Sequence, residues 1–339
     1  MGQEMFTGLN VESSAICNLR CYACPTSSYT ENLARGYFSP ELINKLAALP
    51  ASIKGSDVDL TGWGETLLSP YLVDLLKRFR GATFTTNATL LDKRWAERIV
   101  ELEVSALAFS IDAASEQTYR RIHGGGDCEL VWNNVRRLAK IREEAKSKAP
   151  FLSAHFLLMK SNVEELPEFV ERASLVGVDE VVVKHVAIFS HPSHVEEALF
   201  SGFFENHKVD EKLREIMVDK AKRKAQELGI TFRKVGADIA MPVLGCFGGA
   251  IIRPFISWDG KVSPCCVLAH RVRRVTPKGT VVQGAEFFVG DIKTDTLEEI
   301  WNKPEYVEHR RKLSEGPPPK VCTDCLGAWS VTVEGSTHI

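Results

Sequence analysis

From Phe6 to about Lys184 one pattern repeats along the chain: a short β-rich run, a loop, then an amphipathic stretch with apolar residues three and four apart. No other feature restricts the fold so strongly. The candidate strands are residues 6–12, 57–61, 82–86, 106–111, 152–159 and 180–184, and helical stretches at 40–49, 70–80, 92–102, 130–146 and 163–175 fall between them. Strands separated by whole helices pair in parallel through right-handed crossovers. Six such units predict an α/β fold, an open or partial (β/α)6 TIM-like barrel. In that architecture the loops at the C-terminal ends of the strands build the active site, because helix N-termini and free backbone groups converge there.

A charged helical stretch at 210–228 leads into sequence of another character. From Gly245 onward glycine, proline and cysteine are denser, and Pro317, Pro318 and Pro319 run together. The chain is therefore divided into a core domain, 1–230, and a small cysteine-rich domain, 231–339. A unit so small and loop-rich buries little apolar surface, and a metal centre would help to hold it. The 42 Lys and Arg against 44 Asp and Glu, with signs interspersed, leave no broad positive surface for nucleic acid or anionic lipid. Small molecules or peptides are the expected substrates. No run of about 18 apolar residues marks a membrane span. The N-terminus has no basic start followed by an apolar run, and Phe6 stands where an acylation signal would want Ser or Thr, so a cytoplasmic location is expected.

In a reducing compartment nine cysteines point to metal ligands or reactive thiols rather than disulfides. They fall into three groups. Cys17-Asn-Leu-Arg-Cys21-Tyr-Ala-Cys24 directly follows the first strand; Cys246, Cys265, Cys322 and Cys325 lie in the last third; Cys128 and Cys266 are left over. A Cx3CxxC run brings three thiolates within eight residues, enough to hold three corners of an iron–sulfur cube and leave its fourth iron without a protein ligand. A catalytic metal keeps such an open position for its substrate.

The segment from Cys17 to Cys24 resembles the signature of the radical S-adenosylmethionine (SAM) superfamily, and further resemblances run through most of the first 185 residues. The resemblance implies a [4Fe-4S] cluster whose open iron chelates SAM, reductive cleavage of SAM, and a 5'-deoxyadenosyl radical that removes a hydrogen atom from the substrate. A flavodoxin or ferredoxin would supply the electron. In that family an aromatic residue before the third cysteine borders the adenine; here Ala23 holds that place and Tyr22 stands one position earlier. Thr61-Gly62-Trp63-Gly64-Glu65-Thr66 looks like the family's Gly-Gly-Glu motif, with glycines that let backbone approach the ligand and Glu65 as acceptor for the SAM ammonium group. Thr85-Thr86-Asn87 and Ser110-Ile111-Asp112 resemble the segments that contact the ribose and methionyl groups. Short polar residues at strand ends serve equally as helix caps. Arg121 looks like the arginine that pairs with the SAM carboxylate, and its neighbour Arg120 is open to the same role. His185, ending the sixth strand, is read as touching substrate or as a satisfied structural histidine, and Gly124-Gly125-Gly126 as a flexible turn.

The second cysteine set resembles the auxiliary-cluster domain called SPASM, or twitch in its shortened form: a cysteine, a spacer, Gly260-x4-Cys265, a gap and Cys322-Thr-Asp-Cys325. Four thiolates suit a zinc ribbon or a saturated cubane. Beside a radical SAM signature the resemblance implies an auxiliary [4Fe-4S] cluster for electron transfer or support. Cys266 stays open as the ligand in place of Cys265. Cys266 and Cys128 are also the candidate hydrogen donors to a substrate radical. The resemblance thus implies a net two-electron oxidation of a sugar-like small molecule or a peptide, with thiol-quenched epimerisation as the alternative and a non-catalytic metal-binding or redox-sensing protein as the reading from another class.

Overall fold

The computed structural model describes residues 5–28, 34–46, 49, 52–205, 207–236, 239, 246 and 249–328. Seven parallel strands follow in chain order: β1 (Leu9–Val11), β2 (Val58–Asp59), β3 (Thr83–Thr86), β4 (Ala106–Ser110), β5 (Phe151–Leu158), β6 (Glu180–His185) and β7 (Thr231–Val235). The principal helices between them are α1 (Pro25–Ser28), α2 (Pro40–Lys45), α3 (Leu72–Arg78), α4 (Lys93–Glu101), α5 (Glu116–His123), α6 (Cys128–Glu144), α7 (Leu166–Val176) and α8 (Glu211–Leu228). Their starts are set locally. Ser39, Asp92, Ser115, Asp127 and Asp210 each accept a backbone N–H from the first turn of the helix that follows.

Alternation along the strands separates two environments. Leu60, Phe84, Leu107, Phe109, Leu152, Phe156, Val181 and Val183 join the core with the helices. Trp132 of α6 and Phe156 of β5 both meet Phe169 of α7 edge-on, with centroids 5.3 and 4.9 Å apart. Each such fully buried ring contributes about 1.5–3 kcal/mol. The residues between these face the other way, and many are polar: Thr85, Ser110, Ser153, His155, Glu180, Lys184 and Arg233. Such a lumen is not packed shut with branched aliphatic side chains, as closed barrels usually are.

All six expected strands form, and β7 adds a seventh. Its sequence, Thr-Phe-Arg-Lys-Val, is mostly half-exposed, as befits an edge strand paired on one side only, and so it lacks the apolar signature used to find the others. The division at residue 230 falls at the start of this strand, and the sheet runs on past it. At the opposite edge β8 (Phe255–Ile256) pairs in parallel with β1 and turns back through β9 (Lys261–Ser263). A separate antiparallel ribbon joins β10 (Arg273–Val275) to β11 (Val281–Gln283), and β12 (Gly290–Asp291) closes the main sheet against β9. The C-terminal region, ending in α9 (Leu297–Trp301) and α10 (Pro304–Glu315), is thus built directly on the β1 edge of the barrel.

Candidate active site

The Cys17–Cys24 loop leaves the C-terminal end of β1 and opens onto a cavity of about 500 Å³, a size typical of small-molecule sites. Cys17, Cys21 and Cys24 all line it. Each thiol has a polar neighbour: Cys17 Sγ accepts from Leu19 N at 3.4 Å and lies 3.9 Å from Asn87 Nδ2, Cys21 Sγ is 3.2 Å from His123 Nδ1, and Cys24 Sγ is 3.0 Å from Thr26 Oγ1. Burial, with a smaller contribution from the neighbouring thiols, pushes Cys17 and Cys21 above the ordinary thiol range. Three thiols crowded in this way release their protons when metal takes their place.

Gly62, Gly64 and Glu65 line the same cavity. The glycines are required by the chain itself: a Cβ on Gly62 would stand 2.4 Å from Glu12 Cγ, and one on Gly64 would stand 2.5 Å from both Ile16 N and Ile16 O. Their loop is therefore pressed against the cysteine loop. Glu65 is fully buried, and burial raises its carboxyl above the usual range. Its oxygens accept from Thr86 Oγ1 at 2.5 Å, Asn87 N at 2.7 Å and Leu67 N at 3.0 Å, so it locks β3 to this loop while facing the cavity.

Asn87, Ser110 and Asp112 also line the cavity. Asn87 Nδ2 donates to Asn18 Oδ1 at 3.0 Å, tying β3 to the cysteine loop. Asp112 has φ +62°, a conformation that non-glycine residues seldom adopt. Three contacts hold it there: Oδ1 accepts from Leu157 N at 2.7 Å, its carbonyl accepts from Asn162 Nδ2 at 2.8 Å, and Oδ2 lies 3.4 Å from His123 Nε2. His123, which sequence reading passed over, thus stands between Cys21 and the end of β4, with Nε2 2.8 Å from Ile111 O. His185 lines the cavity, packed edge-on against Phe200.

Tyr22 and Arg121 lie elsewhere. Tyr22 is at the surface with its ring 4.3 Å from that of His194, and neither Arg120 nor Arg121 reaches the cavity lining. Arg121 Nη2 donates to Ser161 O, and Arg120 pairs with Glu116 one turn back on α5. An Arg121→Ala variant is accordingly expected to change SAM affinity by less than about threefold, whereas a lost bidentate carboxylate pair would weaken it tenfold or more. Equilibrium SAM binding checks this. Gly124 and Gly125, read as a flexible turn, form the left-handed end of α5, and a Cβ on Gly124 would stand 2.5 Å from Arg20 O.

The other cysteine set lines a second, tighter cavity of about 20 Å³: Cys246, Cys265, Cys322 and Cys325 converge there with Arg274 and His309. Cys266 is absent from that lining; its carbonyl accepts from Trp63 Nε1 at 2.9 Å, which joins the glycine loop to the C-terminal region. Among the described residues no three His, Cys, Asp or Glu side chains converge on a single-ion position. Cys128, the first residue of α6, is buried, reaches neither cavity, and is pushed up to about 12 mainly by burial.

Comparison with known proteins settles the relationship. One family model, that of the radical SAM superfamily, matches residues 11–173, and another, the iron–sulfur cluster-binding domain SPASM, matches residues 246–326. The chain belongs to the radical SAM superfamily. This radical SAM chain is 25% identical over 328 residues to the tungsten-containing aldehyde ferredoxin oxidoreductase cofactor-modifying protein of Pyrococcus furiosus, covering 94% of this chain and 86% of that protein. It is 27% identical over 341 residues to the AdoMet-dependent heme synthase of Methanosarcina barkeri, covering 93% and 89%. In fold it resembles Streptococcus suis SuiB bound to precursor peptide SuiA, with TM-score 0.62 at 15% identity over 96% of this chain and 71% of that one. It likewise resembles native anSMEcpe with bound AdoMet, with TM-score 0.62 at 14% identity over 98% and 92%.

The radical SAM chain is therefore an enzyme of the SAM-dependent, iron–sulfur class, and its two domains go with a SAM-binding [4Fe-4S] cluster and an auxiliary iron–sulfur cluster. No helix among the described residues is long and apolar enough to cross a membrane. One group of residues tying the radical SAM core to the SPASM region went unread in the sequence. Glu12, fully buried at the end of β1, accepts from Trp63 N at 3.0 Å and Trp258 N at 3.2 Å, and meets His270 Nε2 at 2.9 Å. Its signal in the sequence was a carboxylate directly after Leu9 and Val11, the two buried positions of β1.

Proposed function

We propose that this enzyme removes a hydrogen atom from a small-molecule or peptide substrate held in the 500 Å³ cavity, and that the reaction is a net two-electron oxidation. Cys17, Cys21 and Cys24 hold the SAM-binding cluster, and Cys246, Cys265, Cys322 and Cys325 hold an auxiliary [4Fe-4S] cluster. When bound, the first cluster and SAM supply the electron and the carbon radical that begin the chemistry. The chain's own part is to position and to exclude water: Glu65, Asn87, Ser110 and Asp112 offer polar groups to SAM, and Met159, Val186, Ala187 and Ile188 line the apolar remainder of the cavity.

The observation that carries this reading is the convergence of three thiols, the Gly62–Glu65 loop and the ends of β3, β4 and β6 on one cavity. Oxidation is favoured over epimerisation because neither Cys128 nor Cys266 lines that cavity, so no thiol outside the cluster set stands beside the substrate. The Trp63–Cys266 contact gives the auxiliary cluster a short structural link to the site, as an acceptor of the second electron needs. A flavodoxin or ferredoxin would deliver the first. The names of the relatives, one modifying a cofactor and one acting in heme synthesis, and the peptide bound to SuiB support both substrate classes.

Anaerobically reconstituted enzyme given SAM and dithionite is expected to release 5'-deoxyadenosine and methionine, and absence of both defeats the proposal. In deuterated water an oxidised product should be two hydrogens lighter and gain no deuterium at carbon; deuterium there would point instead to a thiol donor. The ligand set has its own check. Cys265→Ser should lose about half of the bound iron and Cys266→Ser close to none, measured by iron analysis and absorbance near the thiolate-to-iron bands.

A further inference from the structure

The polar lumen beneath the cysteine loop holds two cations that lie outside the set of SAM contacts proposed above. Lys184 of β6 and Arg233 of β7 both line the cavity, on strands at the far end of the parallel array from β1, which carries the cysteine loop. Their situations differ. Arg233 is held by Glu180 through two bonds, Nε to Oε1 at 2.8 Å and Nη2 to Oε2 at 3.0 Å, which leave Nη1 out of the pair. Lys184 makes no ion pair among the described residues; its Nζ has His155 Nδ1 at 3.5 Å as neighbour. Burial keeps His155 neutral, holding its imidazole well below the usual range, so it accepts from the ammonium without cancelling its charge. Asp59, Glu180 and Asp112 act on Lys184 only from beyond ion-pair distance.

A half-buried ammonium without a paired anion is unfavourable, and its desolvation, reinforced by Arg233, lowers Lys184 to about 8. Folded proteins retain such a group where a ligand completes it. The acidic side chains that line the cavity are anchored elsewhere and form no ion pair with Lys184: Glu65 accepts three hydrogen bonds from β3 and its own loop, and Asp112 accepts from Leu157 N. We infer that the substrate carries an anionic oxygen group, carboxylate or phosphoryl, which is received by Lys184 and the Nη1 side of Arg233. This rests on the reading of the cavity as the site of hydrogen abstraction, and it adds the substrate's chemical class to that reading. Anchoring at β6 and β7 places the rest of the substrate between the cations and the cysteine loop, across the same cavity.

The test uses reconstituted, SAM-loaded holoenzyme and calorimetric titration with two probes, glutarate for a carboxylate and inorganic pyrophosphate for a phosphoryl group, with uncharged glutaramide as control. At least one anionic probe is expected to bind where glutaramide does not, and its affinity is expected to fall about tenfold or more in Lys184→Met and to stay within about threefold in Lys184→Arg. The preferred probe tells which anion the site takes. SAM affinity, measured on the same preparations, should move less than about threefold. The inference is overturned if neither probe binds better than glutaramide, if Lys184→Met leaves the preferred probe's affinity unchanged, or if that variant loses SAM and probe together, which would make the lysine a SAM ligand. Formation of 5'-deoxyadenosine by the wild type separates these results from failure of the underlying reading: with it present and no probe bound, the anion site alone is wrong.

Discussion

A Cys17→Ala variant, reconstituted without oxygen, is expected to lose reductive cleavage of SAM by at least about a thousandfold while keeping about half of the wild-type iron. The expectation follows from position. Cys17 faces the large cavity together with Cys21 and Cys24, and two thiols cannot hold three corners of a cubane. The four thiols of the C-terminal region surround a different cavity, walled by Val321, Leu313 and Leu268, and should assemble their cluster independently. Structural collapse would show differently, since Cys17 is only partly buried and its polar neighbours are a backbone amide and the Asn87 amide group. Loss of all iron would indicate damage to the whole fold. Normal turnover with half the iron would mean that SAM is cleaved at the C-terminal cluster or not on iron at all, and the assignment of the two cavities would have to be abandoned.

How much of this the sequence reveals depends on the distance over which each property is set. The strands that become β1 to β6 are visible because alternation and flanking turns are local, and the Cx3CxxC spacing is visible because three ligands lie in one loop. β7 escaped because an edge strand needs only one good face, and Thr-Phe-Arg-Lys-Val has too few apolar residues to show it. Gly62 and Gly64 were read for close approach to a ligand; the atoms they make room for include Glu12 Cγ, Ser14 O and the Ile16 backbone, a loop-to-loop contact between segments about fifty residues apart. Arg121 resembled a carboxylate partner by its place in Tyr-Arg-Arg-Ile-His, yet its rotamer reaches Ser161 O on the next unit instead. His123, two residues on, points inward to Cys21 and Asp112. A helix carries such neighbours to different sides, and sequence position alone does not tell which side faces the site. Lys184 and Arg233 have the same limitation: each is an ordinary strand cation until the register between β6 and β7 puts both on the lumen side.

The joint between the two domains was the least legible feature and should be among the most sensitive to mutation. Glu12→Ala is expected to destabilise the protein by about 3–5 kcal/mol, because it removes the one fully buried carboxylate on which three donors converge. Those donors are Trp63 N, Trp258 N and His270 Nε2, and they come from the glycine loop, the turn after β8 and the segment after Cys266. Glu12 and His270 are 258 residues apart, so only the folded chain brings them together. Glu12→Gln should be milder: one amide oxygen still accepts, while its NH2 group meets a second donor head-on. Thermal and denaturant unfolding of metal-free and reconstituted protein would measure both. Because Trp63 also donates to Cys266 O, the alanine variant should loosen the C-terminal cysteine cavity and slow assembly of the auxiliary cluster more than that of the first. Equal stability of Glu12→Ala and wild type would mean that the carboxylate is not the group that fastens the small domain to the barrel edge, and the β1–β8 pairing, the Trp63–Cys266 bond and the Phe6–Trp301 ring contact would then hold that junction without it.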